Sequence, residues 1–325
     1  MKKIVTLGID IGGTNTALGL VDTHGQCVHE ETFLTRAHEE FSLFFDRLSE
    51  KIKALLDRYS KDYTLAGIGA AAPTGNFFRG TIEAPSNFNW GNIDFVKALQ
   101  ERYDLPVAIT NDANAAALGE MMFGTARGMR NFIVVTLGTG VGSGIVVNGE
   151  LVYGHDGLAG ELGHTIIKPN GRQCGCGRRG CLEAYVSAGG LCRTVSELLA
   201  WRMDDSELRQ MSFREMTAVK VHAAAQRHDP LALAAFDYTG RLLGRALADA
   251  VAYFSPEAII IFGGLANAGD FLFQPVRRHF EEQLLGVFKR KVKILASHKQ
   301  QGNIAVLGAS VLIQKELDKI GKKAA

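Results

Sequence analysis

A strand, a glycine turn and a second strand occur twice in this chain, and that duplication constrains the fold more than any other feature. Val5-Thr6-Leu7-Gly8 matches Val135-Thr136-Leu137-Gly138 at an offset of 130 residues, with Ile11 facing Val141 and Gly12 facing Gly142. Each copy is an apolar β-run that enters a glycine-rich stretch and leaves as another β-run. Two related lobes, each presenting a glycine turn, follow from this reading. Tight turns also need glycine for steric reasons alone, so the repeat leaves open whether the turns do chemistry or only steer the chain.

The length of 325 residues supports two lobes, because single cores stop growing near ~250–300 residues. In the first lobe, β-runs at 3–10, 17–22, 27–33, 65–70 and 106–110 alternate with helical spacing at 39–59 and 93–102, the pattern of an α/β architecture. An Ala-rich helix follows Asn111-Asp112 and runs to Phe123, with Asp112 placed to cap it. A second β-rich section opens at Phe132–Leu137, turns through Gly138–Gly144 and continues at Ile145–Asn148; helices are expected at 186–201, 213–227, 230–254, 271–285 and 304–319. The expected division is a small lobe over 1–115, completed by the C-terminal helix at 304–325, and a large lobe over 116–303.

Charge excludes several function classes. With 36 basic and 34 acidic residues the net charge is +2, which points to neither a nucleic-acid nor a membrane partner. The apolar run Ile4–Ile9 stops at Asp10, too early for a signal-peptide core, and no apolar stretch reaches the ~18 residues of a membrane span. A cytoplasmic location is therefore expected. There, five cysteines read as thiols that are free, catalytic or metal-bound rather than as a disulfide framework.

The chemistry-bearing residues fall into three groups. In Asp10-Ile-Gly12-Gly13-Thr14-Asn15 the glycine amides can face phosphate oxygens, Thr14 adds a hydroxyl and Asp10 can hold hydrated Mg2+; Gly138, Thr139, Gly140 and Gly142 can do the same in the second lobe. His164, Cys174, Cys176 and Cys181 form a His-x9-Cys-x-Cys-x4-Cys set among glycines. Four such ligands suit a closed tetrahedral zinc, structural rather than hydrolytic. Asp112, at a strand end before a helix, reads equally as a cap or as a carboxylate that takes a proton from a substrate hydroxyl.

These motifs, with Gly160-Glu161-Leu-Gly-His164 and Cys174-Gly-Cys-Gly-Arg-Arg-Gly-Cys181-Leu-Glu183, occur in the order typical of ROK-family sugar kinases, which the chain resembles over nearly its whole length. The resemblance implies a two-lobed actin-like, ribonuclease-H-like ATPase fold, with a zinc-binding loop in the larger lobe. It implies ATP and Mg2+ as cofactors beside the structural zinc, and Asp112 as the base toward a hexose hydroxyl. Sugar contacts are implied for Gly75, Asn87, Asn111, Asp112, Glu161, His164 and Glu183, and an adenosine-side turn for Gly263-Gly264. Glu161 and His164, three apart, share a helical face, so one imidazole nitrogen can serve zinc while the other meets the sugar. A homodimer is implied by resemblance only. Glucose is the expected hexose, with fructose, N-acetylmannosamine and N-acetylglucosamine as alternatives. A sugar-sensing repressor is the less favoured reading, because the phosphate turn begins at Asp10 and leaves no room for a preceding DNA-binding domain.

Overall fold

The computed structural model describes residues 2–85, 88–297 and 303–324. The chain forms two compact units, one of Met1–Gly128, Leu151–Ala159 and His298–Ala325, the other of Met129–Glu150 and Gly160–Ser297. The first begins with an antiparallel meander, β1 (Lys3–Ile11), β2 (Asn15–Asp22) and β3 (Cys27–Leu34). It continues through α1 (Phe41–Tyr59), β4 (Tyr63–Ala71), a small hairpin of β5 (Gly75–Asn76) and β6 (Thr81–Ile82), α2 (Phe95–Tyr103), β7 (Val107–Thr110) and α3 (Asp112–Phe123). β4 pairs with β1, and β7 with β4, both in parallel. The sheet order is therefore β3-β2-β1-β4-β7.

The second unit contains β8 (Phe132–Leu137), β9 (Val141–Val147), α4 (Glu183–Val186), α5 (Ala188–Trp201), α6 (Ala218–Gln226), α7 (Pro230–Phe254), β11 (Ala258–Phe262), α8 (Asp270–Gln283) and β12 (Lys293–Ala296), and the two-residue β10 (Glu150–Leu151) begins in it and ends on the first residue of the segment 151–159. Its sheet order is β10-β9-β8-β11-β12. β8 and β9 are antiparallel, and β11 lies parallel to both β8 and β12. Numbered within each sheet, both orders read 3-2-1-4-5, so the duplication seen in the sequence is a duplication of topology.

The register of that repeat differs from the sequence alignment. β1 ends at Ile11 and β8 at Leu137, while β2 starts at Asn15 and β9 at Val141; both pairs lie 126 residues apart, not 130. The second turn is confined to Gly138-Thr139-Gly140, because Gly142 and Gly144 are already strand, opposite Thr136 and Val134. Helix boundaries shift for similarly local reasons. Ser187 accepts from the Gly190 amide and starts α5 afresh, and Thr217 does the same for α6 through Lys220, leaving 213–216 outside the helix.

Alternation along β1 divides the first unit into two chemically distinct faces. Val5, Leu7, Ile9 and Ile11 share a buried core with Phe44, Leu48 and Ile52 of α1 and Phe95 of α2. The other face carries Thr6 and Gly8, and it receives α9 (Ile304–Ala324). Thr6 Oγ1 lies 2.7 Å from Ser310 Oγ. A Cβ on Gly8 would stand 2.1 Å from the Val306 carbonyl oxygen, and one on Gly69 of β4 would stand 1.8 Å from that of Ala309. On its far side α9 meets α3 as closely, since a Cβ on Gly308 would sit 1.7 Å from the Ala115 carbonyl oxygen. Among the described residues no helix is long and apolar enough to cross a membrane.

Gly308→Val would force α9 away from α3. Overpacking of this kind costs ~1–3 kcal/mol and occasionally more, so we expect a loss of about 3 kcal/mol in urea unfolding. A stability within ~0.5 kcal/mol of wild type, the ordinary range for surface changes, would show that the two helices are not held in this register.

Candidate functional site

In the first unit the site begins where β1 ends. Asp10 pairs with Ala17 across the hairpin, and the turn that follows is closed by the Gly12 amide donating to the Asn15 carbonyl at 2.9 Å. Thr35 stitches the turn from β3's end. Its amide donates to the Thr14 carbonyl at 2.9 Å and its hydroxyl to the Gly12 carbonyl at 2.7 Å. The side chains of Thr35 and Thr16, both buried, meet at 2.8 Å. The Gly13 and Thr14 amides donate to no other described residue, the condition an anion-binding turn requires.

Asp10 is held by a residue almost three hundred positions away. Asn303 Nδ2 donates to Asp10 Oδ2 at 2.9 Å. The same side chain caps α9 by accepting from the Ala305 amide, and the backbone N–H of Asn303 donates to Glu30 Oε2. Burial pushes the Asp10 carboxyl up to about 6; the Asn303 hydrogen bond opposes this, while the charges of Asp112 and Glu30 add to it. A carboxylate held this way gains by ionising beside a cation.

The helix that starts at Asp112 is capped by its neighbour. Asn111 has extended backbone dihedrals and its Oδ1 accepts from the Asn114 amide at 2.7 Å, so Asn111 rather than Asp112 is the cap. The reason is one of reach: the capping residue precedes the first helical residue, and its side chain meets the amide two or three positions on. Asp112, the first helical residue, receives the Ala113 amide on Oδ1 at 2.8 Å. The residue keeps solvent access, while the protein packed around its carboxyl raises its pKa by desolvation, against hydrogen bonds from the Ala113 and Asp112 amides. Gly75 is buried in β5, where a Cβ would stand 2.3 Å from the Thr110 carbonyl oxygen, just before Asn111. Asn87 lies outside the described residues.

In the second unit the Gly138 amide donates to the Gly140 carbonyl at 3.0 Å, and Gly138 in turn accepts from the Ala188 amide at the start of α5. Gly263 follows β11 with φ of 106°, and a Cβ there would lie 2.4 Å from the Leu137 carbonyl oxygen. The β11 end and the second glycine turn therefore lie side by side, with Gly264 opening a short 3-10 turn.

The predicted metal ligands converge. The ligand atoms of His164, Cys174, Cys176 and Cys181 all lie within 4.8 Å of one another. His164 Nδ1 is 3.7 Å from Cys174 Sγ, and Cys176 Sγ is 3.7 Å from Cys181 Sγ. Zinc–sulfur bonds of ~2.3 Å put the sulfurs of a tetrahedron ~3.8 Å apart, so the cluster has the dimensions of a zinc cage. Burial pushes the Cys174 thiol up to about 12; thiolates this crowded need a cation among them. His164 Nε2 faces Glu161 Oε2 at 3.9 Å, across the 3-10 turn Leu162–His164. Glu183, at the start of α4, ties the cluster to the glycine turn. Its Oε2 accepts from the Val141 amide at 2.9 Å and its Oε1 lies 3.5 Å from Cys174 Sγ.

The ROK family model matches residues 6–316. The chain belongs to the ROK family. It is 36% identical over 285 residues to a glucokinase of Halalkalibacterium halodurans, covering 86% of each chain. An N-acetylmannosamine kinase of Citrobacter koseri is 33% identical over 95% of this chain and 98% of its own, and a xylose repressor of Bacillus subtilis is 28% identical over 98% of this chain and 79% of its own. Among solved structures, a ROK family glucokinase from Streptomyces griseus in complex with glucose and AMPPNP superposes with a TM-score of 0.80 at 31% identity, covering 96% of this chain and 99% of that one. The two-lobed sugar-kinase fold expected from the motifs is thus the observed one.

Sequence reasoning missed Thr35 and Asn303. Asn303 carried a local signal, an Asn directly before a helical run; Thr35 carried none. The raised pKa of Asp10 has a measurable consequence. Such a group adds stability that is present below its unfolded value near ~4 and is lost as pH rises through about 6. We expect Asp10→Asn, without metal, to become progressively more stable than wild type between those values and to hold that advantage above about pH 7, as read by urea unfolding across pH. A pH-independent difference would refute the assignment.

Proposed function

We propose that the protein is an ATP-dependent hexose kinase that transfers the γ-phosphoryl group to the C6 hydroxyl of its sugar, with glucose as the preferred hexose. The observation that carries this reading is the division of labour at the start of α3. Asn111 serves the helix, so Asp112 keeps an oxygen for chemistry, and desolvation moves its pKa upward. A base works best with a pKa near the operating pH. The reading is further supported by the glucose-bound Streptomyces griseus relative and by the glucokinase of Halalkalibacterium halodurans.

In this mechanism the Asp112 carboxylate accepts the hydroxyl proton, the sugar oxygen forms a bond to the γ-phosphorus, and the bond to the ADP oxygen breaks. The amides of Gly12, Gly13 and Thr14 and the turn Gly138-Thr139-Gly140 cradle phosphate oxygens, with Asn15 and Gly142 beside them. Asp10 would hold Mg2+, which neutralises charge on the transferring phosphates. Gly263 and Gly264 take the adenosine side. Gly75, Asn87, Asn111, Glu161, His164 and Glu183 bind sugar hydroxyls, and His164, Cys174, Cys176 and Cys181 hold a structural zinc. That metal fixes the loop and takes no part in the transfer.

N-acetylmannosamine is the second reading, favoured by the Citrobacter koseri kinase at 33% identity. Sugar-dependent ADP release across glucose, fructose, N-acetylmannosamine and N-acetylglucosamine separates the two, and we expect the largest kcat/KM for glucose. Asp112→Asn should lower kcat ~100- to ~10,000-fold, the range for a lost general base, while sugar binding stays measurable by calorimetry. Near-normal turnover of that variant would remove Asp112 from the reaction.

A further inference from the structure

Between His164 and Cys174 the loop carries an arginine whose every donor is engaged. Arg172 Nε and Nη2 donate to the two carboxylate oxygens of Glu197 at 2.8 and 2.7 Å, and Nη2 also donates to Thr194 Oγ1 at 2.9 Å. Nη1 donates to the carbonyls of Ala184 and Gly190 at 3.1 and 3.0 Å. A guanidinium has five N–H donors, and here all five are used. Its carbon lies 4.5 Å from the centre of the Tyr185 ring, and the side chain is only 9% exposed.

The backbone of the same residue is bound twice more. The Arg172 amide donates to Tyr185 Oη at 2.7 Å, and its carbonyl accepts from the Gly180 amide at 2.8 Å. Arg172 therefore joins both sides of the cysteine loop to the elbow between α4 and α5. Gly171 leaves room for this contact, because a Cβ there would lie 2.0 Å from Tyr185 Oη. The elbow begins with Glu183, the neighbour of Ala184, and Glu183 is the residue that meets both the Val141 amide and Cys174.

We infer that Arg172 is a positioning residue that sets the Glu183 carboxylate between the metal loop and the second glycine turn. The inference rests on the kinase reading for its effect on sugar affinity, but the placement of Glu183 is independent of turnover. Without the guanidinium, the Ala184 carbonyl loses this donor and the Gly190 carbonyl keeps only its bond from Thr194 Oγ1 at 3.0 Å, so the tie between the loop and the elbow is gone. Lysine does not replace it, because an ammonium has no planar fork to span Glu197, Thr194 and two carbonyls together.

The test is Arg172→Met in the zinc-loaded full-length protein, with Glu197→Gln as the milder variant should the first not fold. Three readouts are taken: zinc transfer to a chelating dye, hydrogen exchange of the Val141 amide, and KM and kcat for the sugar. Loss of a partner outside the ligand set weakens metal sites ~10- to ~100-fold, so zinc transfer should quicken at least about tenfold in Arg172→Met. Val141 exchange should quicken by about tenfold, the equivalent of one charge-assisted hydrogen bond, while the β11 amides of Ala258–Phe262 stay as in wild type. Sugar KM should rise more than kcat falls, and Glu197→Gln should shift all three in the same direction by less. Unchanged zinc transfer and Val141 exchange overturn the inference, as does equal acceleration of the β11 amides, which would mean general loosening. Wild-type protein that releases no ADP with any sugar would sink the kinase reading and leave the two activity-free readouts standing.

Discussion

The seating of the C-terminal helix on a face of glycine holds the first unit's chemistry in place. The surface of β2, β1 and β4 presents Gly19, Gly8, Gly67 and Gly69 to α9, and α9 answers with Val306, Ala309 and Ile313. Without side chains between them, helix backbone and sheet backbone approach closely, and dispersion contacts accumulate over a dry surface. Three chemical consequences follow from that one contact. Asn303, at the head of α9, arrives beside Asp10. α3 is clamped through Gly308 against Ala115, which fixes the helix that begins at Asp112. The charges of Asp10 and Asp112 then lie near enough to influence each other.

The second unit reaches comparable order by polar means. Its cysteine loop has little apolar material, and among its glycines local hydrogen bonds, the cluster of His164 with three cysteines, Arg172, and Arg193 donating to the Gln173 carbonyl hold it. Burying a guanidinium is costly unless its donors are all met, and here five acceptors meet them. The geometry of Glu183 inherits that rigidity, being anchored at one end of the elbow and bound to the Val141 amide at the other.

How legible this was in the sequence depended on the span of each interaction. The Cys174–Cys181 loop and the Asp10–Thr14 turn are contiguous, so ligand spacing and turn chemistry could be read directly, and the cluster did converge. The paired sheets were legible as a repeat, yet its register slipped from 126 to 130 because Gly142 and Gly144 lie inside a strand and look like turn residues. Thr35 bonding Gly12, Asn303 bonding Asp10 and Arg172 bonding Glu197 join positions that nothing in the chain's order relates. Periodicity places elements; it does not say which polar side chains meet when the elements pack.

The Asn111-Asp112 pair shows why a single residue resists reading until its neighbours are placed. An Asp before a helix satisfies the cap preference and the requirements of a general base equally well, since both ask for an exposed carboxylate at a strand's end. What separates the roles is where the helix starts. With Asn111 extended and bonded to the Asn114 amide, the helix needs nothing from the Asp112 side chain beyond one local contact to Ala113. Placing a carboxylate at the first helical position is favourable toward the helix dipole when ionised, while desolvation favours the neutral acid. Those opposing demands meet on one carboxyl, and α3, fixed by its contact with α9, holds that carboxyl in one place.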